Sequence, residues 1–341
     1  MPWSASSTGS IRPIGNKGKR LMTDILLAHP NMSPIRGALA PRHEVHALWE
    51  YESSDTFLSS HGGAVSVIVT AGENRIDTAL LGRLTNLRLI VCVGSGYDGV
   101  DVDWCARHGI AVVAAVGANA KDVADHALGL AIAAWRGIVA DHDFIARGEW
   151  QAANRLPSRR TMTGVPAGIV GLGSIGRAVA HRLSALDMPV QWWGPREQSD
   201  APFPKAASLI ELAAESRLLV LCCRADASSH HLVDAAVLEA LGPDGVLVNV
   251  ARGSVVDEDA LIAALRDGRL AAAALDVFAT EPTPADRWRD VPNVVLTPHA
   301  AGLTTDTLRA MIGLAVQRVD AFLLGDEQDR GRVLSASVAA R

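Results

Sequence analysis

Three glycines, Gly171, Gly173 and Gly176, stand in G-x-G-x-x-G spacing within the run GIVGLGSIGR, residues 168–177. In that spacing the first glycine permits a tight turn, the second lets backbone approach a pyrophosphate, and the third seats a helix on a strand. The amides that open the following helix, at Ser174 and Ile175, and its positive dipole end favour phosphate. The spacing alone is weak, because Gly-rich turns are common. Here an apolar strand precedes it, an amphipathic helix follows through Ala178, Val179, Leu183 and Leu186, and a second strand closes the unit. That context reads as a dinucleotide site. Three further residues carry reactive groups: Arg252 in VARG, Glu281 in DVFATEP and His299 in TPHAAG. Each stands just past an apolar strand, at the end where open α/β sheets bind ligands. The arginine can hold a carboxylate or polarise a carbonyl. The histidine can move a proton near neutral pH. The glutamate can orient that histidine and raise its pKa. Taken singly, each also has a structural reading: a surface ion pair, a loop charge, a satisfied loop histidine.

The end of the second strand of a dinucleotide unit selects the cofactor. NAD sites place Asp or Glu there for the ribose 2′-OH. Here residues 190–193 lead into Gly194-Pro195-Arg196, and Asp187 lies too early, before the strand. With no carboxylate to repel a 2′-phosphate and Arg196 able to pair with one, NADP(H) is preferred and NAD(H) remains possible. The alternatives are a solvated Arg196, or Glu197 partly neutralising it or taking the ribose role.

The elements that must position these residues alternate. Apolar runs at 24–28, 44–48, 65–70, 89–93 and 111–114 read as strands, with helices at 76–81 and 102–108 among the segments between them. An Ala/Leu-rich helix follows over about 121–137, with Asn119 as N-cap and one apolar face through Val123, Ala127, Leu130, Ala131 and Ala134. Residues 148–166 read as a polar surface loop. A second series then places strands at 168–170, 190–193, 218–222, 246–250, 272–275 and 294–296. A final helix is expected over about 305–324. The β-α-β order predicts an α/β fold with two doubly wound parallel sheets, whose continuous apolar strands are buried on both faces.

The 341 residues suit two domains, and 49% hydrophobic against 20% charged residues excludes a disordered chain. A net charge of −5 argues against a general nucleic-acid or anionic-membrane binder. No apolar run approaches the roughly 18 residues of a membrane span. Cys92, Cys105, Cys222 and Cys223 are too few for a disulfide framework and lack metal-ligand spacing, so no metal site is expected. Buried, reduced thiols in a cytoplasmic setting fit them. Residues 1–21 have no apolar periodicity and read as a flexible leader, with Met22 a plausible start.

The motifs GIVGLGSIGRAVA, LVNVARGSVVDEDAL, LDVFATEP and TPHAAG occur in that order, after VGSGYDGVD and GANAKDVADHALGL. Over residues 25–324 the sequence resembles the D-isomer-specific 2-hydroxyacid dehydrogenases, and within them looks most like the glyoxylate/hydroxypyruvate reductases. The resemblance implies two Rossmann-like domains with the active site in the cleft between them. The substrate domain would comprise 22–118 and 305–341, and the dinucleotide domain 119–304. Closure would expel water. It implies a homodimer through the Ala-rich helix and the 141–166 segment.

Carried onto this chain, Arg252 would bind the 2-oxo acid's carboxylate and carbonyl oxygen. His299 would be the proton donor in reduction, held protonated by Glu281. Ser95 and Gly96 amides would hold the carboxylate, with Thr70 and Ala71 lining the pocket. Asp276 would face the nicotinamide carboxamide, with Val250, Ala251, Cys223 and Gly302 also beside the cofactor. Two departures stand out: Pro166-Ala167 before the phosphate strand, and Arg224-Ala225 where Pro-Leu is usual. His126, on the apolar face of the long helix, reads as a buried structural histidine or a substrate contact. The reading is an NADPH-preferring reductase of glyoxylate or hydroxypyruvate. The alternatives are a dehydrogenase for another 2-oxo acid or phosphoglycerate, and a catalytically idle dinucleotide sensor on the same scaffold.

Overall fold

The structure, a computed structural model, describes residues 22–151 and 158–325. The expected leader, 1–21, lies outside the described residues, as do 152–157 of the expected polar loop. Two wholly parallel sheets are present. The first contains β1 (Asp24–Leu27), β2 (Glu44–Ala47), β3 (Val65–Thr70), β4 (Leu89–Cys92) and β5 (Ala111–Ala114), in the order β2-β1-β3-β4-β5. The second contains β6 (Ala167–Val170), β7 (Val190–Trp193), β8 (Leu218–Leu221), β9 (Val246–Asn249), β10 (Ala272–Leu275) and β11 (Val294–Leu296), in the order β11-β10-β9-β8-β6-β7. Every residue of β3, β4, β6, β8, β9 and β10 is buried. Helices cover both faces of such sheets, which is why these strands are continuous apolar runs rather than alternating ones. In the second sheet the strand order reverses between β6 and β8, the point at which doubly wound sheets open a crevice for a ligand.

The final helix, Thr305–Leu324, returns to the first sheet. Its Ala315, Val316 and Val319 are buried among Ile25, Leu27, Val67, Leu89, Val91 and Val113. Burial of valine-sized side chains is worth about 1.5–3 kcal/mol each, so the returning helix completes this core. Asp320 of the same helix ion-pairs with Arg42 and lies 3.3 Å from buried His43. The chain therefore crosses between the sheets twice, and the crossings touch. Asp122 accepts hydrogen bonds from the hydroxyls of Thr304 (2.6 Å) and Thr307, and these two bonds hold its carboxyl below the usual range.

The helix over Ala120–Arg136 begins and ends one residue earlier than the periodicity gives, and it stops where Gly137 takes a left-handed conformation (φ 64°). A separate helix then runs from Ile138 to Ala146, bent by 64° from the first. No single helix among the described residues is long and apolar enough to cross a membrane; the bent pair meets the length and composition together. Seven residues of its first member are spent on the core.

Candidate active site

The Gly-rich turn leaves β6 at Gly171, which has φ +91°. A side chain there would reach 2.6 Å from the Cys223 backbone, at the end of β8. A side chain at Gly176 would overlap the Gly171 carbonyl. These two glycines are required by close packing, whereas Gly173 faces open space. Behind it, the amides of Ser174 and Ile175 open the helix Ser174–Ser184 and have no acceptor among the described residues. Unspent donors beside an open face at the sheet's switch point fit a bound pyrophosphate. At the far end of β7, Glu197 pairs with Lys205, and Arg177 pairs with Asp200 at 2.8 Å. Arg196 is exposed and has no ion-pair partner among the described residues. The partial neutralisation of Arg196 by Glu197 is thus not made. Cys223, wedged behind Gly171, has its thiol pushed up by burial to about 11, and burial also pushes Cys222 up. Both are only partly exposed neutral thiols, a packing surface rather than nucleophiles.

The Arg252 turn is fixed by Asn249 at the end of β9. Its side chain accepts from the Ala251 amide and donates to the Arg252 carbonyl, both at 3.0 Å. Gly253 then lies so close to the backbone of Phe278 and Ala279 that any side chain would overlap it. The Arg252 turn and the Glu281 loop are therefore one packed unit. From this unit the guanidinium reaches across to the first domain. Nη1 donates to the Ala251 carbonyl at 2.8 Å, Nε faces the Asp98 carboxylate at 3.3 and 3.4 Å, and Nη2 lies over Gly96. Val250 and Ala251 are buried beneath it.

His299 has a left-handed backbone (φ 50°), a conformation costing about 1–3 kcal/mol for a residue with a side chain. Asp276 supplies the restraint. Its carbonyl accepts from the His299 amide at 2.8 Å, and its carboxylate accepts from Thr297 Oγ1 (2.6 Å) and from the amides of Ala300 and Ala301 (2.9 Å each). Asp276 is 1% exposed. These bonds hold the turn that presents His299. His126 joins the same group, with Nε2 at 3.0 Å from Thr297 Oγ1 and 3.4 Å from Asp276. Its ring is tied to this turn, and it is half-buried rather than buried.

His299 Nδ1 lies 2.7 Å from Glu281 Oε2, whose other oxygen accepts from the Phe278 amide at 2.9 Å. The Glu281 hydrogen bond raises the imidazole above its ordinary value, against the opposing effects of burial and of Arg252. Burial alone would raise Glu281; the bonds from His299 and Phe278, with the Arg252 charge, outweigh it and hold the carboxyl low. One layer further out, buried Glu258 accepts from the Ala279 amide (2.6 Å) and from Arg287 (2.8 Å), so the loop carrying Glu281 is braced. With Nδ1 engaged, Nε2 is the nitrogen directed across the cleft.

The opposite wall comes from the first domain. Gly72 (φ +90°) packs against Gly96, where a side chain would run into the Gly96 carbonyl. Ser95 Oγ donates to Asn119 Oδ1 at 2.8 Å, and Gly302 packs against the same Asn119 side chain. The amides of Ser95 and Gly96 have no acceptor among the described residues. Ala71 is half-buried behind them. Thr70 is fully buried, and its hydroxyl accepts from the Gly72 amide at 3.3 Å. This corrects its placement on the pocket surface: it shapes the turn from below. Three contacts cross the cleft, and none of the pairings has a signal in the linear sequence, although Arg224 stands out there as a departure. Glu73 Oε2 lies 3.8 Å from His299 Nε2, Asp98 faces Arg252, and the Arg224 guanidinium lies 4.0 Å from the Tyr97 ring centre. They depend on which loops the two domains bring together.

The arrangement places an arginine fork, free amides and a histidine whose pKa a neighbouring carboxylate raises around one cleft beside a dinucleotide turn. Such a set can hold a carboxylate and protonate a carbonyl oxygen. Comparison with known proteins gives the same class. Residues 128–301 match the family model for the D-isomer specific 2-hydroxyacid dehydrogenase NAD binding domain. A glyoxylate/hydroxypyruvate reductase of Arabidopsis thaliana is 33% identical over 302 residues, 88% of this chain and 96% of that protein. The 2-ketogluconate reductase of Gluconobacter oxydans is 34% identical over 299 residues, 88% of this chain and 95% of its own. Among solved structures, the NADPH-dependent glyoxylate/hydroxypyruvate reductase of Sinorhizobium meliloti, in complex with NADP and malonate, superposes with a TM-score of 0.81 at 32% identity, covering 88% of this chain and 93% of that one. A 2-hydroxyacid dehydrogenase from Ketogulonicigenium vulgare gives 0.82 at 37%, covering 92% and 98%. With its two parallel-sheet domains, its dinucleotide turn and these relatives, the chain belongs to the D-isomer-specific 2-hydroxyacid dehydrogenases, oxidoreductases that act on the CH–OH group of 2-hydroxy acids.

Proposed function

We propose that the protein reduces glyoxylate or hydroxypyruvate to the D-2-hydroxy acid, with NADPH preferred over NADH. The observation that carries this reading is the His299–Glu281 pair, facing the free amides of Ser95 and Gly96 with Arg252 between. A dihydronicotinamide, when bound, would supply a hydride to the carbonyl carbon. Gly171, Gly173, Ser174, Ile175 and Gly176 would hold its pyrophosphate, and Cys223, Val250, Ala251 and Gly302 would form neighbouring walls. Arg252 binds the substrate carboxylate and polarises the carbonyl oxygen. His299 gives that oxygen the Nε2 proton, and Glu281 stabilises the imidazolium before transfer. Malonate in the Sinorhizobium meliloti enzyme supports a carboxylate site of this kind.

A panel of 2-oxo acids assayed with NADPH and NADH tests the reading. Its pH profile carries a specific sign. Because the His299 value is raised, the proton-donating form persists above the ordinary imidazole value. For reduction, kcat/KM is expected to be flat below that raised value and to fall as pH rises through it; oxidation should rise over the same interval. In Glu281→Gln the fall should move to lower pH.

Unpartnered Arg196 supports the NADPH preference. Loss of one charge-assisted hydrogen bond costs about 1.5–3 kcal/mol, so Arg196→Ala is expected to lower the NADPH/NADH ratio of kcat/KM at least about tenfold. An unchanged ratio would refute its role.

The return of the final helix to the first sheet supports a discontinuous substrate domain of 22–118 with 305–325, around a dinucleotide domain at 119–304; residues 326–341 of the expected domain lie outside the described residues. The exposed Ile138, Val139, Ile145 and Trp150 support a homodimer formed through this face. Free thiols at all four cysteines support a reducing, cytoplasmic setting.

A further inference from the structure

Glu73 stands in the cleft wall beside His299, and the reaction as written does not use it. The loop carrying it is braced. The Gly99 amide donates to the Gly72 carbonyl at 2.8 Å, the Ile76 amide donates to the Gly99 carbonyl at 3.0 Å, and Asn31 Nδ2 donates to Asn74 Oδ1 at 3.1 Å. Gly99 leaves no room for a side chain beside the carbonyls of Glu73 and Asn74. The Glu73 carboxylate itself has no hydrogen-bond donor among the described residues. Its 3.8 Å separation from His299 Nε2 is too long for a hydrogen bond, so it is a half-exposed acceptor aimed at the proton-donating atom.

We propose that Glu73 sets the permitted charge at the far end of the substrate, favouring a hydroxyl on C3 and rejecting a second anionic group. This rests on the cleft being the 2-oxo acid site described above. The carbonyl oxygen must come within about 3 Å of His299 Nε2. The carboxylate is directed to Ser95, Gly96 and Arg252. A trigonal carbon has only one remaining substituent, and Glu73 stands beside the atom that fixes the carbonyl. A C3 hydroxyl can donate to its free carboxylate. A second carboxylate meets a like charge in a site partly withdrawn from water, where repulsion is strong. The cations beside it are already engaged: Arg252 with Asp98 and the substrate carboxylate, Arg224 with the Tyr97 ring, and the His299 imidazolium with Glu281 and the carbonyl oxygen. The charges acting on His299 are Glu281 and Glu73, which favour the imidazolium, and Arg252, which opposes it. Removing the Glu73 charge therefore also has a pH signature.

The test compares wild-type protein with Glu73→Gln and Glu73→Asp, using hydroxypyruvate and oxaloacetate as probes with NADPH. NADPH affinity, read by fluorescence titration, checks that each variant is folded. In Glu73→Gln the hydroxypyruvate/oxaloacetate ratio of kcat/KM is expected to fall at least about tenfold, the equivalent of roughly 1.4 kcal/mol. The alkaline fall in kcat/KM should move to lower pH, and Glu73→Asp should restore part of the ratio. A ratio within twofold of wild type, or a wild-type preference for oxaloacetate, overturns the role of Glu73 while leaving the reductase reading standing. Wild-type protein that binds NADPH and turns over no 2-oxo acid overturns both.

Discussion

His299→Ala is expected to lower kcat for 2-oxo acid reduction by about 10³, within the range general acid–base catalysis contributes. That factor corresponds to about 4 kcal/mol in the barrier. No neighbour can replace the lost proton. Glu281 is held low and points into the loop, where it accepts from the Phe278 amide. Arg252 does not release protons at working pH. Deletion of the imidazole also leaves Glu281 a half-buried carboxylate without its main partner. NADPH affinity should be retained, because the turn that holds the cofactor lies at β6 and is braced independently by Cys223. Single-turnover kinetics beside a cofactor titration separate the two effects. A variant with full turnover would remove His299 from the chemistry.

Arg252→Lys should be nearly as damaging, with a drop of about 10³ in kcat/KM, although it keeps the charge. The guanidinium works in three directions at once, with Nη1 on the Ala251 carbonyl, Nε toward Asp98 and Nη2 over Gly96. A lysine offers a point charge on a flexible stem and cannot reproduce that fork. The loss should appear in both KM, through the carboxylate, and kcat, through the carbonyl. Equal values for wild type and the lysine variant would show that charge alone suffices.

Much of this arrangement is legible in the chain because it is local. The Gly-rich turn lies between an apolar strand and an amphipathic helix, and Arg252, Glu281 and His299 each follow a strand end. Elements buried on both faces, such as LLVLCC and GVLVNV, announce a covered parallel sheet. What is not legible depends on side-chain burial or on contacts between distant loops. Thr70 carries a suitable hydroxyl at the right strand end, but packing turns it inward to hold the Gly72 turn. Glu73 and Arg224 become part of the cleft only because the Gly72 loop is pressed against Gly96 and Tyr97 is brought to the end of β8. The end of the long helix at Gly137 is legible to within one residue, whereas the separate helix Ile138–Ala146 that follows it is not.

The central claim is that this cleft reduces a 2-oxo acid by hydride transfer with His299 as the proton donor. The most direct measurement supplies hydroxypyruvate with NADPH deuterated at the transferring position of C4 and analyses the product. The expected product is D-glycerate with deuterium at C2, formed in one-to-one ratio with oxidised cofactor and about 10³-fold more slowly in His299→Ala. Cofactor binding without oxidation, for hydroxypyruvate and for every other 2-oxo acid tried, would contradict the account and mark the protein as a dinucleotide sensor.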